Sequence, residues 1–221
     1  MTVVLKAGGA SAAGAADAVD ELRSHGRRVC VVHGAGPQIS AEMERRGLAV
    51  QFVGGRRVTT PEALAVVRES FAAVNAAVCA AIGAEAVGLA GDEIGLEAEP
   101  VPELGLVGRP LPSRPAAVED ALAFGLVPVV SPLARGPLNV NADEAATALA
   151  VGLGAERILF LTDVDGVFHE GRLLRSIAAE RAEVLVNDGS FEGGIVPKLL
   201  AAARAARSGL VAEIGATAVV A

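Results

Sequence analysis

Tryptophan and tyrosine are absent from the 221 residues, and six phenylalanines bring the aromatic share to only 3%. A core must therefore be assembled from Val, Leu, Ile and Ala, and the 52% hydrophobic content is enough for one large domain or two small lobes. Cysteine is almost as scarce. Cys30 and Cys79 sit in apolar surroundings with no C-x-x-C or Cys/His spacing, which excludes a zinc site and predicts buried free thiols in a reducing cytoplasm. Basic residues are in deficit, 19 against 26 acidic ones for a net charge of −7, and they are scattered, which excludes a nucleic-acid footprint. The opening "MTVVLKAGG" has no basic leader and too short an apolar run for a signal peptide. No later run is expected to span a membrane. Small molecules or other protein chains are the expected partners.

What the chain does have is alternation. β-rich runs, "TVVLKA", "RRVCVVH", "LVPVVS" and "RILFLT", alternate with Ala-rich stretches that read as helices to about residue 25, from Pro37, near 61–82, near 115–124 and at 142–153. "QFVGGRRV" reads as a hairpin, and short strands are expected between 86 and 108. The Pro- and Gly-rich stretch from Pro100 to Pro115 is a loop or small hairpins, not a domain linker. Continuous apolar strands alternating with helices predict an α/β fold with a mainly parallel sheet covered on both faces.

Ligands of such sheets bind beyond the carboxyl ends of the strands. Four strand ends carry polar residues, "LKAGGAS", "VVHGAGPQ", "NVNADEAA" and "LTDVDGVF", and "EGGIVPKLL" opens a further helix. None is a Walker A loop, and "GAGPQI" holds only two glycines of a dinucleotide fingerprint. Gly8-Gly9 and Gly34-Ala35-Gly36 are then strand-to-helix turns. Each is either simply a tight turn or a cradle of backbone N–H groups at a helix start that suits an anion. Lys6 is either an edge lysine whose ammonium reaches water or a charge aimed at the ligand crevice. Asn141 and Glu144 fit a capping box and Asp143 a first helical turn, which leaves Asn139 unexplained on the same face as Asn141. Lys198 falls near a helix start, where the dipole disfavours a cation, and beside two glycines this suggests a bound anion. Arg56 and Arg57 follow the Gly54-Gly55 turn, and strand alternation should let only one of them reach a ligand. "TDVDGVF" reads as an acidic turn with its glycine too close for a calcium loop.

Two lysines, a carboxylate able to bridge them and two glycine turns suit transfer of a highly negative group. A carboxylate acceptor, ionised above its pKa of about 4.3, needs no general base, so phosphoryl transfer to a carboxylate fits these parts. Alignment and charge relief would do the catalysis.

"KAGG", "VVHGAGPQ", "VGGRRVT", "NVNADEAATALA", "LTDVDGV" and "GGIVPK", in this order and across nearly the whole chain, resemble the N-acetylglutamate kinases of the amino-acid kinase superfamily. The resemblance implies a three-layer αβα sandwich with an open, mainly parallel sheet, and ATP-dependent phosphorylation of the γ-carboxylate of N-acetyl-L-glutamate in arginine biosynthesis. It implies one domain, with residues 1 to about 134 holding the amino-acid substrate and the remainder holding ATP with its Mg2+, no metal being bound by the protein itself. Lys6 and Lys198 would stabilise the transferring phosphoryl group, Asp143 would orient both, and Gly8 and Gly9 would donate N–H groups to phosphates. Gly34, Ala35 and Gly36 would embrace the substrate, with Arg57 and Asn139 holding its carboxylate. Asp163, Val164, Asp165, Gly166, Val167 and Phe168, with Ser190, Phe191 and Glu192, would border the nucleotide.

The sequence departs from the family pattern in three places. Ala35 stands where a third glycine is usual and is expected to restrict the backbone at the substrate. The segment from Gly9 to Val29 is short. Only 23 residues follow Lys198, and "GLVAEIGATAVVA" is expected to omit a strand and helix beside the nucleotide, leaving the adenine side open and ATP poorly distinguished from GTP. Kinases of related carboxylates, such as carrier-linked aminoadipate, and a non-catalytic sensor of acetylated amino acids or nucleotide are the alternatives. With only Met1-Thr2 ahead of the first apolar run, no N-terminal helix of the kind that links family members into arginine-inhibited hexamers is expected. A homodimer paired through the helix near 61–82 and unaffected by arginine is expected instead.

Overall fold

Every residue of the first strand, β1 (Thr2–Ala7), is buried, so helices must cover both faces of the sheet around it. The computed structural model describes residues 1–8, 12–162 and 164–221. After β1 come α1 (Ala12–Ser24), β2 (Arg28–His33), α2 (Gly36–Arg45) and a hairpin of β3 (Phe52–Val53) and β4 (Arg56–Arg57). Then follow α3 (Pro61–Ile82), β5 (Ala86–Ala90), the short α4 (Gly91–Ile94), β6 (Ala98–Pro100), a 3-10 turn at Pro102–Leu104, β7 (Val107–Pro110) and α5 (Ala116–Ala123). β8 (Val127–Ser131), β9 (Leu133–Ala134) and β10 (Leu138–Val140) lead into α6 (Ala142–Gly152) and β11 (Arg157–Leu161). The remainder is a hairpin of β12 (Phe168–His169) and β13 (Arg172–Leu173), then β14 (Ser176–Ala178), α7 (Ala179–Asn187), α8 (Ile195–Arg207), β15 (Val211–Ile214) and β16 (Thr217–Val220).

The central sheet has eight strands in the order β14-β16-β15-β11-β1-β2-β8-β5, parallel except where β16 turns back on β15. β1 lies between β2 and β11, with Lys6 opposite Val32 and Phe160. Strand alternation then sorts the two faces. Leu5, Ala7, Val29, Val31, Val127 and Val129 pack with Ala15, Val19 and Val78 of α1 and α3. Val4, Cys30, Val32, Val130, Ile158 and Phe160 pack with the alanine-rich interiors of α6 and α8 and with Val118 and Leu122 of α5. The result is a helix–sheet–helix sandwich with its largest core on the α6–α8 side, and an α/β fold with a mainly parallel sheet is what the alternation of runs predicts. Lys6, even-numbered like Val4, faces α6 and α8.

Two expectations need revision. α3 is 22 residues long, and its most apolar window has a mean hydropathy of 1.5, so one helix does reach membrane-crossing length and composition. Only 28% of that window is buried, the covered side being the face that carries Leu64, Val67, Phe71 and Val78. Cys79 is half-buried where full burial is expected, although both cysteines are free. The last residues, after the α8 end, form the β15–β16 hairpin, which completes the sheet between β11 and β14. A second sheet, β6-β7-β10-β9, flanks the first, and the Pro100 to Pro115 stretch supplies its β7.

Candidate active site

Lys6 and Lys198 approach the same oxygen. Lys6 Nζ lies 2.9 Å from Asp143 Oδ1 and Lys198 Nζ lies 3.5 Å from it, with the carboxylate side chain only 8% exposed. Three elements converge to make this group. β1 aims Lys6 at the α6 side, Asp143 is the second residue of α6, and Lys198 is the fourth residue of α8. Asn141 caps α6, its Oδ1 accepting from Asp143 N at 2.9 Å and Glu144 N at 3.1 Å, so the helix start that carries Asp143 is pinned. The capping box is incomplete, because Glu144 turns its carboxylate to Arg56 instead. Burial pushes the Lys6 pKa below its ordinary value, and the Lys198 charge adds to this against the pull of Asp143.

Gly8 lies beneath the two ammonium groups. A Cβ there would sit 3.2 Å from Lys6 Nζ and 3.8 Å from Lys198 Nζ, so any side chain would intrude on the point where they converge. Gly9 lies outside the described residues.

Next to this point is a cavity of about 230 Å³, room for on the order of eight waters at about 30 Å³ each and hence for a small acid. Lys6, Gly8, Gly34, Ala35, Gly36, Arg57, Asn139 and Asp143 all line it. Arg57 is 6% exposed. Its Nη2 donates to Gly36 O at 3.0 Å and Ser40 Oγ at 2.8 Å, and its guanidinium stacks 4.5 Å from the centre of the Phe52 ring. Among the described residues no carboxylate lies within ion-pair distance of it, and burial pushes its pKa down. A guanidinium withdrawn from water and given only neutral partners is costly unless an anion joins it. Asn139 is 7% exposed and donates Nδ2 to Thr59 Oγ1 at 3.0 Å, which fixes its amide.

Ala35, expected to restrict the backbone at the substrate, lines the cavity. Ala35 has φ −145, ordinary for an L residue, and packs with Ile39, Met43 and Ala63 in the α2–α3 core. Arg56 departs from expectation, because it lines the cavity together with Arg57. Two-residue strands at a hairpin twist strongly, and an arginine is long enough to come back. Arg56 Nη2 donates to Glu144 Oε1 at 2.6 Å.

On the other flank, the segment from Val164 to Phe168 is held by the chain end. Asp165 O accepts from Ala216 N at 2.7 Å, Val167 N donates to Thr217 Oγ1 at 2.8 Å, and Thr217 Oγ1 donates to Leu174 O at 2.6 Å. Gly166 is required there, since a Cβ would meet Leu173 and Thr217 at 2.7 Å. The His169 ring lies 6.0 Å from that of Phe191, which brings this turn and the Ser190–Glu192 segment together. Val167 and Phe191 are core residues at 0% and 8% exposure, so their side chains face inward; Val164, Asp165, Phe168, Ser190 and Glu192 are exposed. Asp163 lies outside the described residues.

The family model that matches this chain over residues 1–215 is that of the amino acid kinase family. The chain belongs to the amino acid kinase family. Among its relatives are the acetylglutamate kinase of Rubrobacter xylanophilus, 44% identical over 222 residues that cover 96% of this chain and 88% of that one, and that of Geobacillus thermodenitrificans, 38% identical with 91% and 84% covered. Solved structures share the fold. smu.665 from Streptococcus mutans UA159 matches with a TM-score of 0.88 at 24% identity, covering 99% of this chain and 98% of that one. A carbamate kinase from Giardia lamblia bound to AMP-PNP matches at 0.77 and 17%, covering 99% and 98%. The chain therefore belongs to a kinase family that uses ATP.

Sequence reasoning did not single out Ser40, Phe52 or the Arg56–Glu144 pair. Phe52 was within reach. In a hairpin turning at Gly54-Gly55, Phe52 stands directly opposite Arg57, which is the register found.

Proposed function

We propose that the chain catalyses ATP-dependent phosphorylation of the γ-carboxylate of N-acetyl-L-glutamate. The observation that carries this reading is the unpaired, buried Arg57 in the same small cavity as Lys6 and Asp143. Arg57 and Asn139 hold the α-carboxylate end, and the Gly34-Ala35-Gly36 turn bounds the acetamido group. The γ-carboxylate then lies toward Lys6 and Gly8, already ionised at neutral pH and in need of no base. Lys6 and Lys198 spread positive charge over the transferring phosphoryl group while Asp143 holds both ammonium groups on one side of it.

Three cations, Lys6, Arg56 and Arg57, and one carboxylate, Asp143, line the cavity, a net charge of +2 that suits an anionic acceptor. Mg2+ would be carried by the nucleotide's phosphate oxygens, a reading supported by the Lys6 and Lys198 ammonium groups beside Gly8, which suit phosphate and not a cation. Its contribution when bound is to neutralise phosphate charge. In this reading residues 1 to about 134 form the substrate side, and the nucleotide lies across residues 135–221.

The uncovered apolar side of α3 and the edge strand β5 support a homodimer paired through that flank, where Ala65, Ala72, Ala76 and Ala80 are exposed. Free thiols at Cys30 and Cys79 support the cytoplasm as its compartment. ADP release from MgATP on adding N-acetylglutamate, with glutamate and aminoadipate as controls, tests the substrate. Release that is equal with aminoadipate, or that occurs with none of the three, contradicts it.

A further inference from the structure

Three charged residues, Arg56, Glu144 and Arg204, are joined across the site. Glu144 accepts from Arg56 in two-point fashion, Oε1 at 2.6 Å and Oε2 at 3.2 Å, and Arg204 Nη1 approaches the same Oε1 at 3.6 Å. Each sits on an element that also carries a residue of the site. Arg56 precedes Arg57 on the hairpin, Glu144 follows Asp143 on α6, and Arg204 shares α8 with Lys198. The Arg56 and Glu144 side chains are 18% and 13% exposed, so the pair is largely withdrawn from solvent and weakly screened, unlike an ordinary surface ion pair. Two further contacts run along the same seam. Asn141 Nδ2 donates to Gly55 O at 3.0 Å, and a Cβ on Gly55 would lie 3.7 Å from Pro197 Cβ, one residue before Lys198.

We propose that Glu144 is a positioning residue: through Arg56 and Arg204 it ties the substrate-side hairpin and the lysine-bearing helix α8 to the start of α6, so that Arg57, Asp143 and Lys198 share one geometry. Its carboxylate touches no reacting atom. If it loses its charge, Arg56 is left in the cavity without a counter-charge, and the hairpin and α8 lose their common anchor. The positioning of Arg57 and Lys198 for phosphoryl transfer rests on the acetylglutamate kinase reading, whereas the mechanical coupling of the three elements does not.

The test uses the full chain, with amide hydrogen exchange and steady-state kinetics on wild type, Glu144→Gln, Arg56→Gln, their double mutant and Glu144→Asp. Glu144→Gln should speed exchange in residues 51–58 and 199–207 together, by about fivefold or more, while β1 and β2 stay protected. Its kcat should fall about tenfold with a rise in the acetylglutamate KM, and Glu144→Asp should recover most of both. The double mutant should be no worse than Glu144→Gln alone, because the two residues act as one unit. Exchange that rises in only one segment, or everywhere, overturns the proposal, as do single effects that multiply in the double mutant. If wild type releases no ADP with acetylglutamate, the substrate reading fails, and the exchange pattern still decides whether Glu144 couples the elements.

Discussion

At the residue scale the site is a matter of charges held against their preference. Lys198 stands at the start of α8, where the helix dipole opposes a cation, and the neighbouring Lys6 repels it; Asp143 holds both. This arrangement is poor for an empty protein and good for one that binds phosphate. Lys198→Met is expected to lower kcat by about a hundredfold or more, roughly 2.7 kcal/mol of transition-state stabilisation, with smaller changes in either KM. Near-normal kcat with impaired binding alone would contradict that role. The lowered pKa of Lys6 gives a second expectation. As pH rises, the buried ammonium loses its proton before a free lysine does, so kcat/KM should fall on an alkaline limb below pH 10.5, and Lys6→Arg should remove that limb. Stability moves the opposite way. Between the folded and unfolded pKa values the unfolded chain holds the proton that the folded one has lost, so this residue makes stability rise with pH in that window. Lys6, Lys198 and Asn139 stood out in the sequence because each breaks a local pattern, whereas Asp143 fits a first helical turn and Arg57 could not be told from Arg56, so both entered through the family resemblance. Arg56 and Glu144 did not stand out, because each has an ordinary local explanation, a solvated hairpin charge or half a capping box, and only the fold brings them together.

At the element scale, legibility follows length. The strands of five or six residues and the long helices were readable from their apolar runs, because many residues vote for one period. The two- and three-residue strands of the β3–β4, β9–β10 and β12–β13 pairs carry too few positions for any period, and only the first pair announces itself as a hairpin, through Gly54-Gly55. The role of the C-terminal hairpin was not legible because it is remote in sequence: Ala216 and Thr217 brace the turn at Asp165 and Val167. The element that matters most for chemistry is the start of α6. Asn141→Ala removes the acceptor for two of its free N–H groups, which should cost about 1–2 kcal/mol of stability. It should also lower kcat, since Asp143 is the next residue but one. Asn141→Asp keeps the cap and should restore most of the stability in denaturant unfolding. Equal stability of the alanine and aspartate variants would show that the cap carries no weight here.

At the scale of the whole molecule, an eight-stranded sheet collects groups from strand and helix ends far apart in sequence at one edge, the small cavity beside Gly8. The same sheet ends at β5, flanked by the exposed alanines of α3 and a hollow of about 690 Å³ lined by Arg68, Ala72, Ala76 and Cys79 among others. If this flank pairs two copies, light scattering should give the mass of a dimer, and Ala76→Glu should give a monomer that keeps its secondary structure. A wild-type monomer at micromolar concentration would refute the pairing. The central claim is chemical, that the phosphoryl group passes to a side-chain carboxylate between Lys6 and Lys198. It is tested most directly by trapping the product with hydroxylamine. With MgATP and N-acetyl-L-glutamate, wild type should yield the γ-hydroxamate in step with ADP, and Lys198→Met should yield about a hundredth as much in the same time. ADP formed without hydroxamate, or hydroxamate formed equally by Lys198→Met, would contradict the account.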